Sequence, residues 1–287
     1  MSVGAGYFVR GEDPPAELDP RYDVVCVQWQ SLWKSDWLDT ILGYQDADIE
    51  VYVHTPFAYI NPSYNDVGQR AIIAVLDETG GWLIGPDGER VIDPSGCSLI
   101  DPSNPKVYRG LSRAHVGLIT NADWLPDGLF LDFIWDRVAW NPAFAGLDGQ
   151  AKAVLDEQYR KGMYRFATSL KFEMGKAGIR MPICCNGWHR CTVLQSTALE
   201  SFPLSHPGGH SDLAECLDGY YGKATWGLFD DPPMILPTGG TNVAYGIPKF
   251  RVVEAVAFAS AFCPHAIVFD NSGFVFDVKG KLAGGDW

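Results

Sequence analysis

Short apolar stretches that alternate with helically spaced ones predict an α/β fold, a (β/α)8 TIM barrel made of a single domain. Three observations point there. Eight such stretches can be counted, the number that closes a barrel. The chain has 287 residues and a hydrophobic content of 47%, a length and core that suit one α/β barrel. No G-x-G-x-x-G follows a strand, so an open dinucleotide-binding sheet has no motif behind it. Residues 1–20 are polar and proline-rich and read as a lead-in, with 21–287 as the barrel. No internal repeat, linker or low-complexity block interrupts it.

In order, the expected strands are 22–29 (YDVVCVQW), 49–57 (IEVYVHTPF), 80–92 (GGWLIGPDGERVI), 127–137 (DGLFLDFIWDR), 181–188 (MPICCNGW), 197–202, 233–240 (PMILPTGG) and 265–273 (HAIVFDNSG). The third runs on into a hairpin, with Pro86-Asp87-Gly88 as its turn. Helical spacing fills the intervals: from Ser31 to Tyr44, from Tyr64 to Thr79, after Asp101, from Gly149 to Lys176, from Ser211 to Phe229 and from Pro248 to Cys263. Asp101 or Ser103 is placed to cap the third of these helices, and Gly178 to end the fourth. The tail after the eighth strand shows no convincing full helix.

The fourth stretch carries the chemistry. It is apolar on both faces, as a central parallel strand is. Yet alternation puts Phe130, Asp132, Ile134 and Asp136 on one face, so a carboxylate enters a buried strand. An ionised carboxylate there is costly unless it is paired, hydrogen-bonded or used.

In α/β barrels the active site lies at the C-terminal ends of the strands. That rule collects Gln28, Trp29, His54, Asp132, Asp136, Asn186, Trp188, Glu200, His206, His210, Asp270 and Asn271. No Lys stands at a strand end, which argues against a Schiff-base aldolase. Two carboxylates on different strands suit glycosidic cleavage, one protonated for the leaving oxygen and one ionised. Asp132 and Glu200 are that catalytic pair. Trp29, His54, Asp136, Asn186, Trp188, His206 and Asp270 are the substrate-binding set, with carbohydrate as the partner.

Plainer roles stand beside these. Asp132 could simply accept backbone N–H groups at the barrel mouth, Asp136 could pair with Arg137, and most of the ten Trp, twelve Tyr and fifteen Phe must be core.

Other classes are disfavoured. With 22 Lys and Arg against 35 Asp and Glu, the formal charge is −13, which argues against nucleic acid or an anionic membrane as partner. His189, His206 and His210 with Cys184, Cys185 and Cys191 lack the paired spacing of a zinc site, so neither metal nor cofactor is expected. The N-terminus has no signal-peptide pattern and no run is apolar enough to span a bilayer, which points to a cytoplasmic chain, or a secreted one already trimmed. The alternatives are a non-catalytic carbohydrate-binding or structural barrel, and a barrel enzyme that binds phosphate at the glycine-rich loop 237–242.

The run from Trp82 to Trp135 resembles barrel-type glycoside hydrolases, among them the hypothetical glycosyl hydrolase families and the endo-α-1,4-polygalactosaminidase group. The similar motifs are D-x-S-N-P (Asp101, Ser103, Asn104, Pro105) and D-G-x-x-x-D (Asp127, Gly128, Asp132). The resemblance implies a retaining hydrolase, with Asp132 as nucleophile at the end of the fourth strand and Glu200 as general acid/base on the sixth. The residues after Asp132 depart from the polygalactosaminidase pattern by reading DFIWD.

Overall fold

Strand β2 (Val24–Gln28) is apolar on both faces, and so is the sheet around it. The computed structural model describes residues 3–9, 18–56, 59–61, 66–94, 96–132, 137–186, 196–200, 234–236, 249–262, 266–270 and 274–284. Eight parallel strands pair in a circuit: β1 (Gly4–Phe8), β2, β3 (Glu50–Pro56), β6 (Gly128–Asp132), β7 (Ile183–Asn186), β8 (Ser196–Glu200), β9 (Met234–Leu236) and β10 (Ile267–Phe269), which returns to β1. A curled α/β sheet closed into a barrel is the result.

The eight strands are not the eight expected. Residues 1–20 are not merely a lead-in, because Gly4–Phe8 lies between β10 and β2 and joins the two ends of the sheet. The stretch 80–92 is no barrel strand. It doubles back through antiparallel bridges Trp82–Ile100, Ile84–Arg90 and Ile92–Ser98, beside a small pair of strands, β4 (Tyr59–Ile60) and β5 (Ser98–Leu99). The turn at 86–88 is the cause: Gly88 sits at φ 84° and donates to the Gly85 carbonyl, which reverses the chain. β3 therefore pairs directly with β6.

The helices follow local rules. α1 (Ser35–Asp46) buries Trp37, Ile41 and Tyr44 on one stripe. α2 (Val67–Thr79) starts on Asp66, whose carboxylate accepts the Gln69 N–H at 2.8 Å, and ends on Gly80 in the left-handed region. α3 (Pro105–Thr120) is capped by Asn104 rather than by Asp101 or Ser103, with Pro105 in the first turn. α4 (Gly149–Lys176) spans the expected residues and is capped by Asp148. α5 (Lys249–Phe262) buries Val252, Ala255, Val256 and Ala259. The tail forms a real helix, α6 (Phe274–Gly284), which buries Val275 and Val278. The helix expected over 211–229 lies outside the described residues.

Most of the core lies between sheet and helices, but a second apolar layer fills the barrel: Val24, Cys26, Tyr52, Phe130, Cys184, Ile267 and Phe269. It fits because glycines stand opposite the large side chains. A Cβ on Gly128 would lie 2.2 Å from the Tyr52 ring, and one on Gly4 2.2 Å from Ile267. Carboxylates tie the lower strand ends: Asp23 accepts the Ala5 N–H at 2.7 Å and Asp127 the Val51 N–H at 2.9 Å. The D-G of the D-G-x-x-x-D run thus has a packing role, Asp127 fastening β6 to β3 and Gly128 making room for Tyr52. Gly128→Ala is expected to lower unfolding free energy by about 1–3 kcal/mol, measured by denaturant titration, because the tyrosine ring has to shift.

His115 is buried on α3 between Trp29 and Phe166, with its Nδ1 2.8 Å from the Leu111 carbonyl. Burial pushes its pKa down to about 4, with the Leu111 hydrogen bond opposing the shift. The unfolded chain binds the proton near pH 6.5, so the folded state loses stability as pH falls from about 6.5 towards 4, by up to about 3 kcal/mol. Denaturation midpoints at pH 7.5 and 5 should therefore fall further apart in the wild type than in His115→Gln.

Candidate active site

The parallel register sets three polar side chains side by side at the C-terminal mouth of the barrel. β2 and β3 pair Gln28 with His54, and β3 and β6 pair Pro56 with Asp132. The side chains then join across the strands. His54 Nδ1 lies 3.1 Å from Gln28 Oε1, and His54 Nε2 lies 3.0 Å from Asp132 Oδ2. Both ring nitrogens face oxygen atoms. A protonated imidazole donates to both, whereas a neutral one donates to only one of them.

The surroundings are apolar. The side chains of His54 and Asp132 are 12% and 11% exposed. The His54 ring meets Phe8 edge-on at 5.3 Å between centroids and Phe130 tilted at 5.6 Å. Cys26 and Cys184, both buried, line the barrel interior beneath. Burial pushes the Cys26 thiol far up, and nearby Cys184 and Asp132 add to the shift. That thiol stays neutral and serves as packing rather than as a nucleophile. The mouth therefore combines a buried carboxylate, an imidazole that orients it, and aromatic walls.

Two of the expected substrate-binding residues are used elsewhere. Trp29 is only 3% exposed and packs in the outer core, against Trp33, His115 and the backbone of Gly68, where an added Cβ would sit 2.7 Å from the indole. The 3₁₀ turn Trp29–Trp33 carries it away from the mouth. Asp270 is 1% exposed; its Oδ2 accepts the Val275 N–H at 2.8 Å in the first turn of α6, and its carbonyl accepts the Tyr22 hydroxyl at 2.6 Å. It holds the start of the last helix and is not a surface that meets sugar.

Glu200 ends β8, paired with Leu236, and Asn186 ends β7, paired with Ala198. Both side chains lie outside the described residues, as do Asp136, Trp188, His206 and the loop 237–242. Phe8 is the wall that sequence reading missed. The alternation of Val3, Ala5, Tyr7 and Val9 with Gly4, Gly6 and Phe8 was the available signal, hidden by the polar residues that follow. Among the described residues, no group of three or more His, Cys, Asp or Glu could hold a metal, and no helix is long and apolar enough to cross a membrane.

No family model matches the chain, and no curated protein matches it in sequence. Solved structures do match in fold. An α-L-fucosidase from Paenibacillus thiaminolyticus superposes with a TM-score of 0.61 at 14% identity, over 99% of this chain and 49% of its own. A maltogenic α-amylase from Thermotoga neapolitana gives 0.55 at 9% identity, over 99% and 76%. A GH36 α-galactosidase from Geobacillus stearothermophilus, in complex with stachyose, gives 0.51 at 10% identity, over 92% and 37%. The chain thus spans about half the fucosidase or less than two fifths of the α-galactosidase. What it shares with all three is the fold alone, a curled α/β sheet with helices around it.

The Gln28–His54–Asp132 chain is open to a direct test. Gln28→Leu removes the oxygen at His54 Nδ1, so the side-chain 15N shifts of His54 should move while those of distant His115 stay in place. Unchanged His54 shifts would mean that Gln28 does not set the ring's hydrogen bonding.

Proposed function

We propose that the chain is a (β/α)8 glycoside hydrolase that cleaves a poly- or oligosaccharide by a retaining route. Asp132 is the nucleophile and Glu200 the general acid/base. The single observation that carries this reading is the Asp132 carboxylate, held by His54 at the barrel mouth. Its support from fold is the likeness to a fucosidase, an amylase and an α-galactosidase.

The residues divide the work as follows. Asp132 attacks the anomeric carbon, and the bond to the leaving oxygen breaks as Glu200 passes that oxygen its proton. The glycosyl–Asp132 ester then forms, and Glu200 takes a proton from the water that hydrolyses it. His54 fixes Oδ2 of Asp132, and Gln28 fixes His54. A carboxylate already oriented loses less freedom on reaching the transition state. In chain order Asp132 and Glu200 end the fourth and sixth barrel strands, with β7 between them. Asp136, Asn186, Trp188 and His206 are proposed to bind the sugar from the same end.

The test is product release from a glycan panel. Asp132→Asn and Glu200→Gln should each lower kcat/KM by at least about a hundredfold on whichever substrate the wild type cleaves. Azide should rescue a Glu200→Ala variant as a glycosyl azide of retained configuration. Full activity in both carboxamide variants would instead favour a non-catalytic carbohydrate-binding barrel.

A further inference from the structure

The outer face built by α3 and α4 has the opposite charge from the rest of the chain. These two helices carry nine Lys and Arg against three Asp and Glu, in a protein of net charge −13. Between them lies an open groove of about 580 Å³, lined by residues of the two helices that flank β6 in the chain and by no barrel strand. Arg109, Arg113, Arg165 and Lys176 line it, with Glu173 as the one acidic lining residue. Glu173 is shared by Lys176 at 3.0 Å and Arg113 at 3.8 Å, so one carboxylate answers four cations.

The groove also shows aromatic surface. Phe172 is 64% exposed and Tyr164 41%, both large apolar groups left at the surface of α4. Tyr108 lies beside them under the Arg109 guanidinium, 5.8 Å from its ring centroid, and the Lys176 ammonium stands 5.6 Å from the Phe172 ring. Thr168 and Ser169 add hydroxyls. From Tyr164 to Lys176 the lining runs about 18 Å along the helix.

We propose that this groove binds a single strand of an anionic polysaccharide, its carboxylates on the guanidinium groups and its ring faces on Tyr164 and Phe172. The choice of a sugar polymer rests on the glycosidase reading above and names its substrate class. Shape and charge argue for a narrow ligand. A duplex nucleic acid or an anionic bilayer is broad and would meet the acidic remainder of the surface, whereas one strand follows the basic groove alone. Guanidinium groups grip carboxylates in a bidentate way, and the exposed rings offer flat apolar faces that a purely electrostatic anion site has no use for.

The experiment is affinity electrophoresis of the full chain carrying Asp132→Asn, so that binding is read without cleavage. Gels contain polygalacturonate, neutral dextran or polyglutamate at 0.15 M salt. Polygalacturonate should retard the protein, and the other two should not. Arg109→Gln with Arg165→Gln should weaken that retardation at least tenfold, and Phe172→Ala at least threefold; all three positions are exposed, and their far-ultraviolet circular dichroism should match the parent. Equal retardation of parent and arginine variant overturns the proposal. So does polyglutamate retarding as strongly as polygalacturonate, or a Phe172→Ala variant that binds as the parent does, since each leaves only charge attraction. Hydrolysis is assayed separately, on short oligogalacturonides with the groove variants in the active background. A silent groove and a silent barrel mouth therefore give different results.

Discussion

Closure of the sheet by Gly4–Phe8 is the constraint on which the remaining structure hangs. A parallel sheet of seven strands would leave two edges whose N–H and C=O groups face no partner. β1 meets both, with Gly4, Ala5 and Gly6 against β10 and Gly6, Tyr7 and Phe8 against β2. The Asp270 N–H then reaches the Gly6 carbonyl, and the Tyr22 hydroxyl reaches the Asp270 carbonyl. Residues 248 positions apart in the chain are thus locked together at the seam.

A closed barrel has a narrow interior, and its filling explains where polar groups are tolerated. Low in the barrel, Gly4, Gly6 and Gly128 leave room for Ile267, Phe269 and Tyr52. In the middle, Cys26, Cys184 and Phe130 pack without polar demands beyond a neutral thiol. At the top, among the described side chains, the inward positions become polar, as Gln28, His54 and Asp132. Each of these lies two residues beyond an apolar inward neighbour, so the period of the strand carries the chain from core to site in one step. The carboxylate is held beside an imidazole partner instead of standing alone in an apolar wall, the arrangement that makes a buried charge affordable.

The resemblance motifs gain a division of labour from the same geometry. Asp127 and Gly128 begin β6 and serve its attachment and packing, while Asp132 ends it and serves the mouth. Asn104 and Pro105 of D-x-S-N-P start α3, the helix that presents the basic groove on the outer, helical layer. One sequence run therefore feeds two surfaces of different charge.

The chain by itself determined the class of fold, most strand cores, the long helix Gly149–Lys176 and the place of Asp132, because these follow from periodicity and from caps within a few residues. It misjudged whatever depended on partners distant in sequence. Gly4–Phe8 has the alternation of a strand but shows its purpose only between β2 and β10. The stretch 80–92 has the composition of a strand, yet its own turn folds Ile84 back on Arg90 and the next turn sets it against residues 98–100. Trp29 and Asp270 sit at strand ends as expected, but the adjoining 3₁₀ turn swings one into the outer core and the first turn of α6 draws in the other. Strand-end position is a local property, and the direction in which a side chain is consumed is not. Only the tertiary register put Gln28, His54 and Asp132 on three adjoining strands, because the pairing of β3 with β6 passes over 71 residues that separate Pro56 from Gly128 in the chain.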